Sequence, residues 1–595
     1  MDKIYRRASQ VNVWLGIDNE ETKNVLTILR EIAHRIHDHN DHDKPFDAWL
    51  SQLSMRIDRA AVITQAYLMQ ETAFSSEQWK LLGRFYNANW FRRIWVIQEI
   101  RESSEGWVLC GKFEVKWAIV ALAATWISLA VPWRGGIDWK KNYFGSYMGF
   151  RNAKFMWDQT FTTCREAPFL ALLHRARAFQ STDARDKVFS MLNHRISRRD
   201  IDLHQPHVDG NVQNLVQSSV SPPYLWSVHD LLIVLKKGLE LQADYTLSKR
   251  DVYRQVAIQS LQRYNNAEVL CYAWQTSHHD VSWPSWIPRW DIYLFEENEM
   301  VIIPLLYDAS QHSSLDFRLS LDYNILFLRG INLGTIVNTS TNLEYQMFGT
   351  QDRSPGQYTV EDQLQAMAMM ITQDRWQDEP FDENSATRTQ HHVQARFAGF
   401  SAYILPLLKH QREDCFISLG VAIWCDFCEE YFHPRRSQAS STPSEFYHCY
   451  ICKGGSSDIC LACYNKGMRC KVPSHILKRW TVGTLSIPYT DSILRILEAH
   501  APTGDRDRFQ DLIKITCRGL TFFSVSQGWH GTASGATEPG DVVAILFGSR
   551  VPFILRKHNS GYRLVSNCYV QGLMDGEAMA MLKNGELESE IFEIH

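Results

Sequence analysis

Hydrophobic positions along the first 130 residues follow two different periods. Val11–Gly16 (VNVWLG) is a short apolar run closed by a glycine, which predicts a buried strand. From Glu20 to His37 the apolar residues recur at helical spacing, which predicts an amphipathic helix. The stretch Trp117–Trp133 (WAIVALAATWISLAVPW) is apolar on every side and carries no charge. It is shorter than the roughly 20 residues of a bilayer span and is interrupted by Thr125, Ser128 and Pro132, so it predicts a buried core helix. Trp133–Phe150, rich in aromatics and glycine, predicts an ordered irregular connection.

Further along, Pro168–Leu192 predicts a helix, a polar turn and a second helix, with Asp183, Arg185 and Asp186 supplying a helix-start cap and ion pairs. Residues 205–225 are polar with a Pro pair and predict a loop, and helical spacing resumes over Ser227–Tyr264. The Trp- and Pro-dense run Trp283–Asp291 (WPSWIPRWD) predicts an extended segment lying in a surface groove. Ile325–Ile331 reads as a strand, and residues 350–392, rich in Gln, Asp, Arg and Thr, predict a mobile segment. Short apolar runs punctuated by glycine fill the C-terminal part, with Gly540-Asp541 as a turn before a strand; these predict a β-rich module. The divisions expected are 1–130, a helical and mixed α/β region over 131–415, a compact cysteine module over 420–480, and the β-rich module over 481–595. The fold class expected is therefore multi-domain α/β and α+β.

A chain of 595 residues exceeds what one hydrophobic core serves, which agrees with several domains. Hydrophobic residues make up 45% and charged residues 22%, the balance of an ordinary globular protein. The net charge of −4 gives no basic excess, so no nucleic-acid partner is expected, and no membrane partner either.

The cysteines change the picture most. Of 13, seven fall between Cys425 and Cys470. Their spacing is Cys425-x2-Cys428, Cys449-x2-Cys452, Cys460-x2-Cys463 and Cys470-x4-His475. A CxxC turn presents two thiolates to one ion, and zinc takes four such ligands in a tetrahedron, so eight ligands predict two closed zinc sites. Closed sites leave no position for a reacting water and so predict structure, not metal catalysis. The density of pairs also argues for a reducing compartment, the cytoplasm or the nucleus. Cys110, Cys164, Cys271, Cys415, Cys517 and Cys568 are scattered and read as buried thiols.

The motifs CDFC (Cys425–Cys428), FYHCYIC (Phe446–Cys452) and DICLAC (Asp458–Cys463), followed by Cys470 and His475, resemble the ZZ-type zinc finger. That resemblance implies a cross-brace: Cys425, Cys428, Cys460 and Cys463 on one zinc, and Cys449, Cys452, Cys470 and His475 on the other. The chain departs from the family in the 20 residues between the first two pairs and in Cys470, where the family has His. The resemblance also implies a protein or peptide ligand gripped by acidic residues, by position Asp426 and Asp458. A purely structural module fits the same residues.

The segment Asn89–Ile100 (NWFRRIWVIQEI) would place Phe91, Trp95 and Glu99 on one helix face, with Arg92 and Gln98 flanking it. A carboxylate among such neighbours either holds a core ion pair or performs chemistry. Together Ile4–Gly16, Arg92–Glu99, Arg175–Leu192, Trp283–Asp291 and Gly528–Met579 resemble the fungal heterokaryon incompatibility (HET) family. The resemblance implies a partial TIR-like, Rossmann-like α/β domain at the N-terminus and a role in self/non-self recognition and cell death. It also implies, by likeness to TIR domains, a catalytic Glu99 with Trp95 beside it in NAD glycohydrolysis. In the family two further strands precede the motif at Ile4. An N-terminally truncated domain with little or no enzyme activity is therefore the expectation.

Overall fold

The computed structural model describes residues 7–16, 21–40, 43–55, 74–101, 105–130, 149–157, 168–192, 241–274, 282–292, 307–340, 342–344, 359–373, 387–411, 415–418, 423–425, 427–428, 431–432, 445–449, 457–470, 477–481, 484–516 and 520–595. The chain divides into two compact units. The first is 1–204 with 237–253 and 290–293; the second is 205–236, 254–289 and 294–595.

In the first unit, β1 (Val11–Trp14) runs parallel to β2 (Gly106–Cys110), which pairs antiparallel with β3 (Phe113–Lys116). The helix Thr22–Asn40 buries Val25, Leu26, Leu29, Ile32, Ala33 and Ile36, the positions its helical spacing predicted. The all-apolar stretch forms the helix Trp117–Ala130, buried from Ile119 to Ile127. Thr125 and Ser128 bond back to the carbonyls of Ala121 and Ala124, which satisfies their hydroxyls inside the core. Among the described residues no helix is long and apolar enough to cross a membrane. Pro168–Ala176 and the single turn Asp186–Phe189 are the two helices predicted around a polar turn. Helical structure in the predicted Ser227–Tyr264 span is seen at Lys249–Tyr264. The predictions for residues 205–225 and for 133–148 lie outside the described residues.

The second unit is organised by one long strand, β5 (Leu326–Ser340), preceded by its hairpin partner β4 (Phe317–Leu319). After β5 the chain runs through β6 (Asn342–Glu344), the helices Val360–Thr372 and Thr387–Gln411, and β7 (Cys415–Ser418). The cysteine-rich part follows with β8 (Ile423–Trp424), β9 (Tyr431–Phe432), β10 (Glu445–Cys449), β11 (Ser457–Cys460) and β12 (Lys478–Thr481). It returns at β13 (Thr484–Ile487), antiparallel to β7 with Thr484 opposite Ser418 and Ile487 opposite Cys415. The cysteine module is thus an insertion carried on a two-strand stem.

The helices Asp491–His500 and Arg506–Thr516 lead into β14 (Leu520–Val525), β15 (His530–Ser534), β16 (Val542–Leu546), β17 (Phe553–His558) and β18 (Gly561–Val570), and β19 (Ser589–Ile594) ends the chain. These strands join β5 in an eight-stranded sheet. Six of the eight, β5-β14-β15-β18-β17-β16, close back on β5; β4 and β19 pair outside that ring. Closure removes the exposed edges that an open sheet would leave. Inside lie Ile331, Leu333, Ile336, Phe523, Val525, Val543, Ile545, Ile554, Val565 and Val570. Gly334 sits in β5 with φ +112°, where an L side chain is strained, and the register against β16 shifts between Val543 and Ala544 beside it. That bend lets one strand serve β16 with its middle and β14 with its end.

Three expectations need correction. The boundary at 481 cuts a sheet, because β5 belongs with strands nearly 200 residues later. Within the segment expected to be mobile, residues 360–372 are held: the Thr359–Asp362 capping box starts a helix that buries Leu364, Met367 and Met370. Trp283, Trp286 and Ile287 do not lie extended in a surface groove; they sit in turns and are buried, with the Trp286 indole donating to the carbonyl of Asn324. Burying Trp surface outweighs exposing it, and each indole N–H has found a carbonyl.

Candidate metal centre and the surroundings of Trp95

The structure brings Cys425, Cys428, Cys460 and Cys463 together, their sulfurs all within 4.8 Å of one another. Cys425 follows β8, Cys428 lies in the next turn, and Cys460 ends β11 and caps the short helix Leu461–Asn465 that carries Cys463. The Sγ atoms of Cys428 and Cys460 are 3.9 Å apart. Zn–S bonds of ~2.3 Å in a tetrahedron would set sulfur–sulfur edges of ~3.8 Å, so the donor set fits one such ion.

Backbone amides support the cluster: Cys460 N–H donates to Cys425 Sγ at 3.3 Å and Cys463 N–H to Cys460 Sγ at 3.1 Å. Burial opposes ionisation of Cys425, but amides of Cys428, Cys460 and Phe427 outweigh it and hold this thiol below its usual range. Burial, then the neighbouring sulfurs, push Cys463 up. With no cation among them, four thiols cannot all ionise; a divalent ion would remove that conflict.

Among the described residues the apolar cluster around the sulfurs is small, with Phe446 of β10 also buried. The core is Ile459 with Cys425, Cys460 and Cys463, covered by Tyr447, Tyr464 and Leu477. Tyr447 and Tyr464 stack at 3.5 Å between centroids, and the Arg469 guanidinium lies 3.6 Å from the Tyr464 ring. Antiparallel pairing of β10 with both β11 and β12 holds the module together. Of the second expected set, Cys449 ends β10 and Cys470 is half-buried, whereas Cys452 and His475 lie outside the described residues, as does Asp426. Asp458 is only 6% exposed in β11, so it is not an open acidic grip for a peptide end.

Around Trp95 the predicted helix face does not form. Asn89–Arg92 is a 3-10 turn, Arg93 is extended, and the helix starts only at Val96. The reason is tertiary: Ile94 N–H donates to Gln180 O at 2.9 Å and Gln180 N–H to Arg92 O at 2.5 Å, a bridge that interrupts the helix. Phe91 and Glu99 are therefore not on one helix. Arg92 bonds Asn87 and Gln98 bonds the carbonyl of Ser190, so neither flanks a shared face with Glu99. Glu99 is half-buried, one turn after Trp95.

Trp95 Nε1 donates instead to Asp186 Oδ2 at 3.0 Å, and the other oxygen accepts from Tyr245 Oη at 2.6 Å. Arg185 pairs with Asp183 at 2.7 Å, as expected, and also donates to the carbonyls of Tyr245 and Leu247. Next to Asp186, Lys187 is buried and donates to the carbonyls of Arg177 and Phe179. Burial lowers its amine to about 7, with Asp291 pulling it up and Arg177 pushing it further down. Arg177 is itself buried, its guanidinium 4.7 Å from the Trp290 ring. The sequence reading missed Tyr245 and Lys187. Neither carries a local signal, since one lies in a short polar turn and the other beside ordinary charges.

The family model described as "Heterokaryon incompatibility protein (HET)" matches residues 1–99, and that described as "Het-6 beta-barrel domain" matches residues 494–587. These matches are to residues 1–99 and 494–587 alone, and in the structure the strands of the second are completed by β5 from outside the matched residues. No curated protein and no solved structure matches the chain.

Proposed function

We propose that this protein acts in fungal self/non-self recognition, triggering cell death on heterokaryon incompatibility, and that its inserted module is a two-zinc, ZZ-type finger that recognises a protein or peptide. The observation that carries the first part is the pairing of a HET match with a Het-6 barrel match on one chain. The second part rests on the four sulfurs spaced for one tetrahedral ion. Those four are the interleaved set expected for the first zinc; Cys449, Cys452, Cys470 and His475 would hold the second. Two zinc ions would supply the module's folding free energy, about 10 kcal/mol or more each, beyond what the small apolar cluster around Ile459 among the described residues supplies. Reduced thiols of this kind fit a cytoplasmic or nuclear setting.

A TIR-like NAD glycohydrolase acting through Glu99 is the second reading. What favours it is that Glu99 stands one helical turn from Trp95 and is only partly exposed. A lone carboxylate there would stabilise the positive charge that develops as the nicotinamide–ribose bond breaks. A zinc-finger adaptor with no chemistry is the third.

Expression in fusing hyphae separates them. The wild-type chain should kill fusion cells of an incompatible partner, and Cys425→Ser should abolish killing. Glu99→Ala would remove both killing and NAD loss under the enzyme reading, and leave killing unchanged for an adaptor. A wild-type chain that kills in no pairing would overturn the recognition reading.

A further inference from the structure

Three of the four clustered sulfurs are closed off from solvent and one is not. Cys425 is 0% exposed, Cys460 3% and Cys463 8%, whereas Cys428 lies in an exposed turn beside the 39%-exposed Phe427. A closed zinc–thiolate site made only for stability would gain from shielding all four ligands, since oxidation of any one releases the ion. Here a single ligand residue is exposed to a small oxidant, and the sulfur of the buried Cys460 lies 3.9 Å from its own. Cys428 and Cys460 come from different CxxC turns, so a bond between them would join the turn after β8 to the end of β11.

We propose that this centre is a peroxide-responsive switch in which Cys428 is the thiolate attacked and Cys460 the thiolate that resolves it. The inference rests on the metal-centre reading above. The Cys428 thiolate attacks one peroxide oxygen, breaking the O–O bond; it becomes a sulfenic acid and hydroxide leaves. The Cys460 thiolate then attacks the sulfenic sulfur, forming the Cys428–Cys460 disulfide and expelling a second hydroxide. Two protons from solvent turn both hydroxides into water. Peroxide is reduced by two electrons and the two thiolates are oxidised by two. A zinc ion held by these four would keep only two ligands and would be released, and its share of the free energy that organises the module would be lost. The switch couples an oxidative burst to loss of the recognition module while the barrel, whose Cys568 is fully buried, stays folded.

The test uses the full chain purified with its zinc. Peroxide should release one zinc equivalent, followed with a chromogenic chelator, and mass spectrometry of alkylated peptides should show a Cys428–Cys460 disulfide. Cys428→His keeps a zinc ligand at that position but removes the oxidisable sulfur; its release should be slower by about tenfold or more. A Cys428→His protein that loses zinc as fast as wild type would overturn the proposal, as would a disulfide confined to the buried cysteines. A chain purified from cells without any zinc would remove the metal-centre reading itself. Zinc bound but unmoved by peroxide would remove the switch alone.

Discussion

The barrel and the cysteine module belong to one compact unit but reach order by opposite means. In the barrel, six strands close on themselves around Ile, Val, Leu and Phe side chains, and every strand finds two neighbours. The inserted module has short strands and one fully buried Ile, and its centre is sulfur. An apolar core is stable by area removed from water and tolerates the loss of one contributor. A metal-shaped core depends on one ion and fails as a whole. The stem of β7 and β13 allows this difference, because the chain enters and leaves the module at adjacent strands and the barrel closes without it.

The largest effect should come from removing metal. Chelation of the full chain, or Cys425→Ser, should unfold the module, a loss of about 10 kcal/mol of binding-coupled folding free energy. Amide exchange should become fast over residues 445–481 while β16–β18 stay protected; barrel amides exchanging equally fast would erase the contrast between the two regions. Next comes Phe523→Ala, which empties a fully buried position in the barrel. It should cost about 3–5 kcal/mol in denaturant unfolding of the barrel and leave zinc stoichiometry untouched.

Tyr464→Ala removes the ring stacked on Tyr447 and the seat of the Arg469 guanidinium. Its cost of about 1 kcal/mol should be invisible as long as the metal is bound and should show only as faster metal release. A mutation there that unfolds the zinc-loaded module would mean that packing and not metal organises it.

The N-terminal unit supplies a contrast of a third kind, a buried charge. The Lys187 amine titrates near 7 when folded against 10.5 when free. Between those values the unfolded chain holds a proton that the folded chain does not, so stability rises with pH across that window and is flat below it. Lys187→Met should flatten this slope in thermal melts between pH 7 and 10; an unchanged slope would show that Asp291 and the two carbonyls keep the amine charged.

Much of this was legible before any coordinates. The spacing of the cysteine pairs predicts a metal module, and four of the eight expected ligands, Cys425, Cys428, Cys460 and Cys463, lie together in the structure. The helix Thr22–Asn40 and the buried helix Trp117–Ala130 follow from periodicity and from the absence of charge. The strand beginning near Ile325 was legible too, but not its partners. A run of apolar residues specifies a strand and gives no address for its neighbours, and β5 finds them across an insertion. The Phe91–Trp95–Glu99 face failed for a related reason. Its spacing was helical, yet hydrogen bonds to Gln180, far away in sequence, broke the helix at Arg93.

What the sequence by itself determined is therefore local: element types, a set of cysteines spaced to come together, and which stretches must be buried. Tertiary structure alone decided that β5 closes the barrel, that Asp186 takes the Trp95 indole, that Lys187 is buried, and that Cys428 of the four thiols faces solvent. The physical reason is the range of the interactions. Propensity and ligand spacing act over a few residues. Strand pairing, desolvation and exposure are set by whatever segment packs alongside, which the local sequence does not encode.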